Sequence, residues 1–200
     1  MDIVTQASPE ELFAFLEPIG TKNPFSGYQH DSVRDKDLPP KKHFKVFYPS
    51  AIESKNDHIL LDVLFEKEPS SRCDLVPILT PFIEPEREVV VFVPTMNSLL
   101  GDKLTAFAPK TIGIPYYSEP SHIERKTDIV KQLFDVGALF DSATDLQEVA
   151  EVYETIHGKQ LGYRDATFTM ADTLNDTMTT GFQYSQLDLR GGTETPEGLE

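Results

Sequence analysis

The stretch Leu99-Leu100-Gly101-Asp102-Lys103-Leu104-Thr105-Ala106-Phe107-Ala108 marks the point where the chain changes character. Most of the chain before it reads as short strands and the chain after it reads as helices, an order that predicts an α+β fold. At roughly 100° per residue, a helix here sets Leu99, Leu100, Ala106 and Phe107 on one arc with Lys103 in its middle. An ammonium on an apolar helix face has to snorkel, pair or do chemistry, because burying it alone is costly. A second stretch, Asp128-Ile129-Val130-Lys131-Gln132-Leu133-Phe134-Asp135, spaces charges at i, i+3 and i+7. Asp128, Lys131 and Asp135 then form one stripe, and Ile129, Leu133, Val136 and Phe140 form the opposite, core-seeking face. These two helices are expected to bring charged groups to one cleft, which they share with Asp62.

Composition narrows the class of protein. A chain of 200 residues that is 39% hydrophobic and 10% aromatic can bury a real core. Its net charge of −15 opposes a non-specific grip on nucleic acid or an anionic membrane. One cysteine, Cys73, excludes an internal disulfide and fits a reducing compartment. No apolar run reaches the roughly 20 residues of a membrane helix, and no secretion signal opens the chain. A cytoplasmic protein is the default expectation. The abrupt strand-like start at Met1-Asp2-Ile3-Val4 and the final Leu199-Glu200 suggest an excised piece of a longer chain.

Along the chain, Asp2 to Thr5 reads as a strand end. Ser8, Pro9 and Glu11 supply an N-cap, a first-turn proline and a capping box for a helix running to about Gly20. Thr21 to Lys42 reads as a long loop. Strands are expected at His43–Tyr48, at His58–Glu66 (apolar on both faces, hence central), at Val76–Ile83 as an edge, and at Glu88–Val93. The Lys103 helix spans about Thr95 to Phe107. Ser121 and Glu124 are read as the capping box of the next helix. Thr144 and Gln147 start another, with Leu146, Val149, Ala150, Tyr153 and Ile156 on its apolar face and Gly158 at its end. A last helix from about Asp165 uses Phe168, Ala171, Leu174, Met178 and Phe182. The division expected is a sheet region over 1–94, a helical region over 95–186 and a disordered tail over 187–200.

Asp62 is the most informative carboxylate. It interrupts an aliphatic strand, so it either holds a metal or, near a strand end, pairs with a lysine or caps a turn. Asp2 obeys the same logic at its own strand end. The charged stripe is either a solvated face with helical ion pairs or part of a site. The histidines show no zinc spacing, and no phosphate-binding glycine loop or Gly-x-Ser-x-Gly is present. Strand carboxylates with a lysine on a later helix suggest phosphoryl chemistry: carboxylates hold a divalent cation and the lysine neutralises phosphate charge.

Those residues also carry a resemblance. Asn97-Ser98-Leu99-Leu100-Gly101-Asp102-Lys103-Leu104-Thr105-Ala106-Phe107 resembles the third motif of the AbiEii/AbiGii toxin-type nucleotidyltransferases. Asp128-x-x-Lys131-x-x-x-Asp135-Val136 resembles their fourth. Asp62 is placed like the carboxylate of their later strand, and Asp2-Ile3-Val4 is similar to the tail of their Asp-x-Asp motif. The likeness covers most of residues 1 to 140 and is specific around 97–140. It implies a polymerase-β-like nucleotidyltransferase mixed sheet with helices after it, and a toxin of a toxin–antitoxin or phage-defence operon. Such an enzyme transfers a nucleotide from an NTP, with Mg²⁺, to RNA such as tRNA. By resemblance, Asp2 and Asp62 are metal ligands, Lys103 and Lys131 bind the nucleotide, and Asp128 and Asp135 complete the catalytic set. An antitoxin protein is the implied partner. The chain lacks the family's Gly-Ser motif and first aspartate, and Gln132 stands where many relatives carry an aspartate. A non-catalytic remnant that binds a protein partner through its helices is therefore the alternative expectation.

Overall fold

The computed structural model describes residues 1–35, 38–52, 55–67, 71–79, 87–118 and 122–186. The chain forms two compact units, Met1–Pro69 and Ser70–Glu200. Its strands and C-terminal helices make the expected α+β fold. No helix among the described residues is long and apolar enough to cross a membrane.

The first unit is built on a mixed sheet. Strands β1 (Asp2–Thr5), β2 (Gly27–His30), β3 (Lys41–Pro49) and β4 (Asn56–Phe65) lie in the order β1-β4-β3-β2. β1 runs parallel to β4, and the remaining pairs are antiparallel. The doubly apolar β4 is interior, as its composition requires. Helix α1 (Pro9–Leu16) starts on the Ser8 cap, with Ser8 and Glu11 closing the capping box. It lays Leu12, Phe13 and Leu16 against Phe44, Leu61 and Val63. Because side chains alternate along a strand, Asp62 and His43 occupy the other face of the sheet. The stretch Thr21–Lys42 is not one loop: β2 lies within it, pairing Gly27 to His30 with Phe47 to Phe44. Four residues at a sheet edge carry too little pattern to announce a strand.

The second unit opens with the hairpin β5 (Cys73–Pro77) and β6 (Val90–Pro94). Helix α2 (Met96–Ala106) comes next, capped by the Thr95 hydroxyl. After the short ladder of β7 (Tyr117–Ser118) and β8 (Ile123–Glu124) come α3 (Lys126–Ser142), α4 (Leu146–Arg164) and α5 (Met170–Ser185). Among the described residues, Leu100, Phe107, Ala108, Ile112, Tyr116, Ile129, Val149, Val152, Tyr153 and Ile156 are its buried hydrophobic residues.

The helix boundaries and faces depart from expectation at several points. Glu124 lies in β8 and α3 begins at Lys126 without a side-chain cap; Ser121 is outside the described residues. The cap of α4 is Asp145, whose carboxylate accepts from the N–H groups of Gln147 and Glu148. Gly158 does not end α4, because buried Ile156 and His157 carry the helix through; it stops at Asp165, in the left-handed conformation at φ 50°. Helix α5 starts at Met170 on a Thr169–Asp172 capping box. On α3, Phe140 is exposed rather than core. The largest departure is on α5, where Leu174, Met178 and Phe182 are exposed while Thr173, Asp176 and Thr180 are buried. Asp176 accepts from the Lys110 N–H at 2.8 Å and the Thr111 hydroxyl at 2.9 Å. Thr173 meets the His157 ring at 3.1 Å. A polar face that satisfies a loop outweighs the apolar stripe in setting the helix's rotation. The expected edge strand through Ile83 and the tail from 187 fall partly or wholly outside the described residues.

Candidate functional site

In the first unit the parallel register sets Asp2 opposite Asp62, and the antiparallel register sets His43 opposite Asp62. Register partners share a face, so these residues form one row across three strands. The interior carboxylate has two polar partners. Asp62 Oδ1 lies 2.7 Å from His43 Nδ1, and Oδ2 lies 3.7 Å from an Arg34 guanidinium nitrogen. The segment carrying Arg34 is anchored through Asp35, which pairs with Lys42 at 3.0 Å and His30 at 2.8 Å. Burial works to raise the Asp35 carboxyl, but the hydrogen bonds from Lys42 and His30 outweigh it and hold it below its usual value. Asp2 is exposed. His43 and Arg34 were not among the residues singled out in the sequence. The signal for His43 was its strand parity: it alternates away from Phe44 and Val46, onto the face where Asp62 must lie.

In the second unit α2 and α3 bring Lys103, Gln132 and Asp135 together. The Lys103 ammonium donates to Asp135 Oδ2 at 2.9 Å and to Gln132 Oε1 at 3.1 Å. The lysine therefore pairs instead of merely snorkelling. Its side chain is 30% exposed and that of Asp135 is 28% exposed. The remaining stripe residues do not join this cluster: Asp128 accepts from the Arg125 guanidinium at 2.8 Å, and Lys131 is exposed with no ion pair among the described residues. Gln132 was missed as a site residue. It stands at i−3 from Asp135 on the same helix, a spacing that aligns the two on one face.

A third group was also unforeseen. Glu148 of α4 is buried and accepts from the hydroxyls of Thr95 and Ser98 and from the Asn97 amide, with Arg72 at 4.0 Å. The bond from Thr95 is the largest influence holding its carboxyl below the ordinary value; burial opposes it, and Asn97, Ser98 and Arg72 assist. Asn97 also accepts from the N–H groups of Thr144 and Asp145. This clasp ties the start of α2 to the start of α4.

Among the described residues no group of three or more His, Cys, Asp or Glu side chains could hold a metal ion. Two carboxylates are within what a hydrated Mg²⁺ takes from a protein; here Asp2 and Asp62 are register partners, and the two Asp62 oxygens face His43 and Arg34.

Residues 6–195 match the family model described as Nucleotidyl transferase AbiEii toxin, Type IV TA system. No curated protein and no solved structure matches the chain.

Proposed function

We infer the function of this chain from what it belongs to, the AbiEii family of nucleotidyl transferase toxins of type IV toxin–antitoxin systems. The family sets the class of reaction as nucleotidyl transfer. We propose that the donor is an NTP used with Mg²⁺ and that the acceptor is a hydroxyl of RNA or of another molecule. A new O–P bond forms at the α-phosphorus as the bond to the pyrophosphate leaving group breaks, and the proton of the acceptor hydroxyl passes to solvent. Asp2 and Asp62 would hold the cation, which supplies charge neutralisation across the phosphates when bound.

Lys103 would bind a phosphate. A lysine ammonium has three N–H donors, and Asp135 and Gln132 take two of them, which leaves one for an anion. That half-exposed, fixed amine is the observation that carries the proposal, since a pre-positioned cation stabilises charge on a transferring group without reorganisation. Lys131, exposed on α3, would add positive potential, and Asp128 would orient Arg125. The charge of −15 favours a small or locally bound acceptor over an extended tRNA grip. A cognate antitoxin is the expected counterpart, and a cytoplasmic setting fits the single cysteine.

The test is incubation of the full-length protein with labelled NTPs, Mg²⁺ and an RNA pool. Label transfer that Lys103→Ala and Asp62→Asn each reduce at least about a hundredfold supports the reading. No transfer by the wild type refutes it. The exposed Leu174, Met178 and Phe182 on α5 favour the second reading, a protein-binding module without activity. Absence of transfer together with specific capture of a partner, lost on Met178→Asp, would support that one.

A further inference from the structure

Resting on the phosphate-binding role of Lys103, we propose that Gln132 determines how strongly that lysine attracts an anion, by holding its amine without neutralising it. Gln132 is buried on α3, only 8% exposed. Its Oε1 faces the Lys103 ammonium at 3.1 Å, and its Nε2 points back toward the Asp128 carbonyl at 3.5 Å. Only the oxygen of a side-chain amide can face an ammonium, so the charge on Lys103 and the helix carbonyl together fix the amide's orientation.

Charge around the amine is balanced. Lys103 has one carboxylate partner, Asp135, and one neutral partner, Gln132. Of the neighbouring α3 charges, Asp128 is already paired with Arg125, and Lys131 is exposed and cationic. The Lys103 cluster is therefore neutral overall. Among the described residues the third N–H of Lys103 has no partner, and the exposed Asp102 of α2 is the other charge beside it in sequence. A carboxylate at position 132 would occupy the same hydrogen bond but turn the cluster net negative. In a half-exposed site one added like charge at short range is worth about a tenfold loss of anion affinity or more.

A specific pattern of anion binding is expected. Affinity for inorganic tripolyphosphate is measured by calorimetry on the full chain at low salt, with folding checked by circular dichroism. Gln132→Glu should bind at least about tenfold more weakly, and Gln132→Met, neutral and of similar length, should lose no more than about threefold. Asp135→Asn should bind more tightly than wild type. The double variant Gln132→Glu/Asp135→Asn should return to within about threefold of wild type, because the carboxylate and the amide have merely exchanged places. Salt should shrink all these differences. Wild-type binding that Lys103→Met abolishes but Gln132→Glu leaves unchanged would overturn the role of Gln132 alone. Equal losses in Gln132→Met and Gln132→Glu, or no rescue in the double variant, would overturn it too. If wild type binds no tripolyphosphate, the role of Lys103 fails and that of Gln132 fails with it. Should Gln132→Glu not fold, Asp135→Asn decides: affinity equal to or below wild type sinks the charge argument.

Discussion

Replacing Gly101 with alanine sets two opposed effects against each other. A glycine inside a helix is about 1 kcal/mol less favourable than alanine, so propensity alone makes Gly101→Ala stabilising. But a Cβ built at Gly101 would lie 2.8 Å from the Val149 carbonyl oxygen, 3.0 Å from Val152 Cβ and 3.1 Å from the Tyr153 nitrogen. Two of these are backbone atoms in the middle of α4, so the clash cannot be relieved by a rotamer change; the helices must separate by several tenths of an ångström. Overpacking of that kind costs about 1–3 kcal/mol. With a backbone oxygen at 2.8 Å the cost falls in the upper part of that range, about 2–3 kcal/mol, so a net destabilisation of about 1–2 kcal/mol is expected. Gly137 is the internal control: it lies within α3, and an added Cβ there meets nothing within 4 Å. Gly137→Ala should therefore gain up to about 1 kcal/mol. Urea unfolding monitored by circular dichroism should show the two midpoints moving in opposite directions, with a thermal shift of roughly 2–4 °C per kcal/mol. If Gly101→Ala is as stable as wild type, or both alanines move stability equally, the close approach of α2 and α4 is wrong.

The titrating groups supply two further expected outcomes. Glu148→Gln should destabilise by about 2–4 kcal/mol at neutral pH, because it weakens charge-assisted bonds to a buried acceptor. Its carboxyl is held below the ordinary value of 4.5, so the wild-type contribution is present above that pH and is lost as pH falls through the folded value. The difference between wild type and variant should accordingly shrink on acidification, and a gap that stays constant down to about pH 3 would contradict this. At the other extreme, burial and the Asp176 charge push the Tyr153 phenol up to about 12. Its hydroxyl is buried with no hydrogen-bond partner among the described residues. The neutral phenol's stabilisation is complete below pH 10 and is lost as pH rises through about 12. Tyr153→Phe should leave neutral-pH stability unchanged or slightly raised and delay alkaline unfolding, which phenolate absorbance and circular dichroism would track together.

What the sequence made legible was mostly local. The Ser8–Glu11 capping box, the Thr95 start of α2 and the interior position of β4 each depend on residues within a few positions of one another, and each is present as read. Asp62 could be recognised as a carboxylate in need of a partner, but which partner depends on strand register, and that brings in His43 from a different strand. The rotation of α5 was hidden for the same reason. Its apolar stripe is strong in the sequence, while the contacts that bury the opposite face join Asp176 to Lys110 and Thr111. No periodicity along one helix can report a bond to a distant loop. Gln132 was read only as a departure from the family pattern, because a neutral amide in a charged stripe shows no role until its oxygen is seen facing an ammonium.

Helix α2 shows why the lysine can be held so firmly. At 11 residues it is too short to be stable alone, so its helicity must come from tertiary contacts. Those contacts are distributed along its length. Thr95, Asn97 and Ser98 fasten its first turn to Glu148; Leu100 and Gly101 seat its middle, with Gly101 against α4; Lys103 joins its last turns to α3. The ion pair at Lys103 is about a third exposed, and pairs of that kind add little stability, about 0–1 kcal/mol. The amine's ion pair thus contributes little to the fold. The rigidity that aims it is supplied by the clasp and by the glycine contact, upstream of it. A charged group that contributes little to the fold but is held by contacts that contribute much can offer its remaining N–H to an anion without loosening its helix, which is the arrangement the role proposed for Lys103 needs.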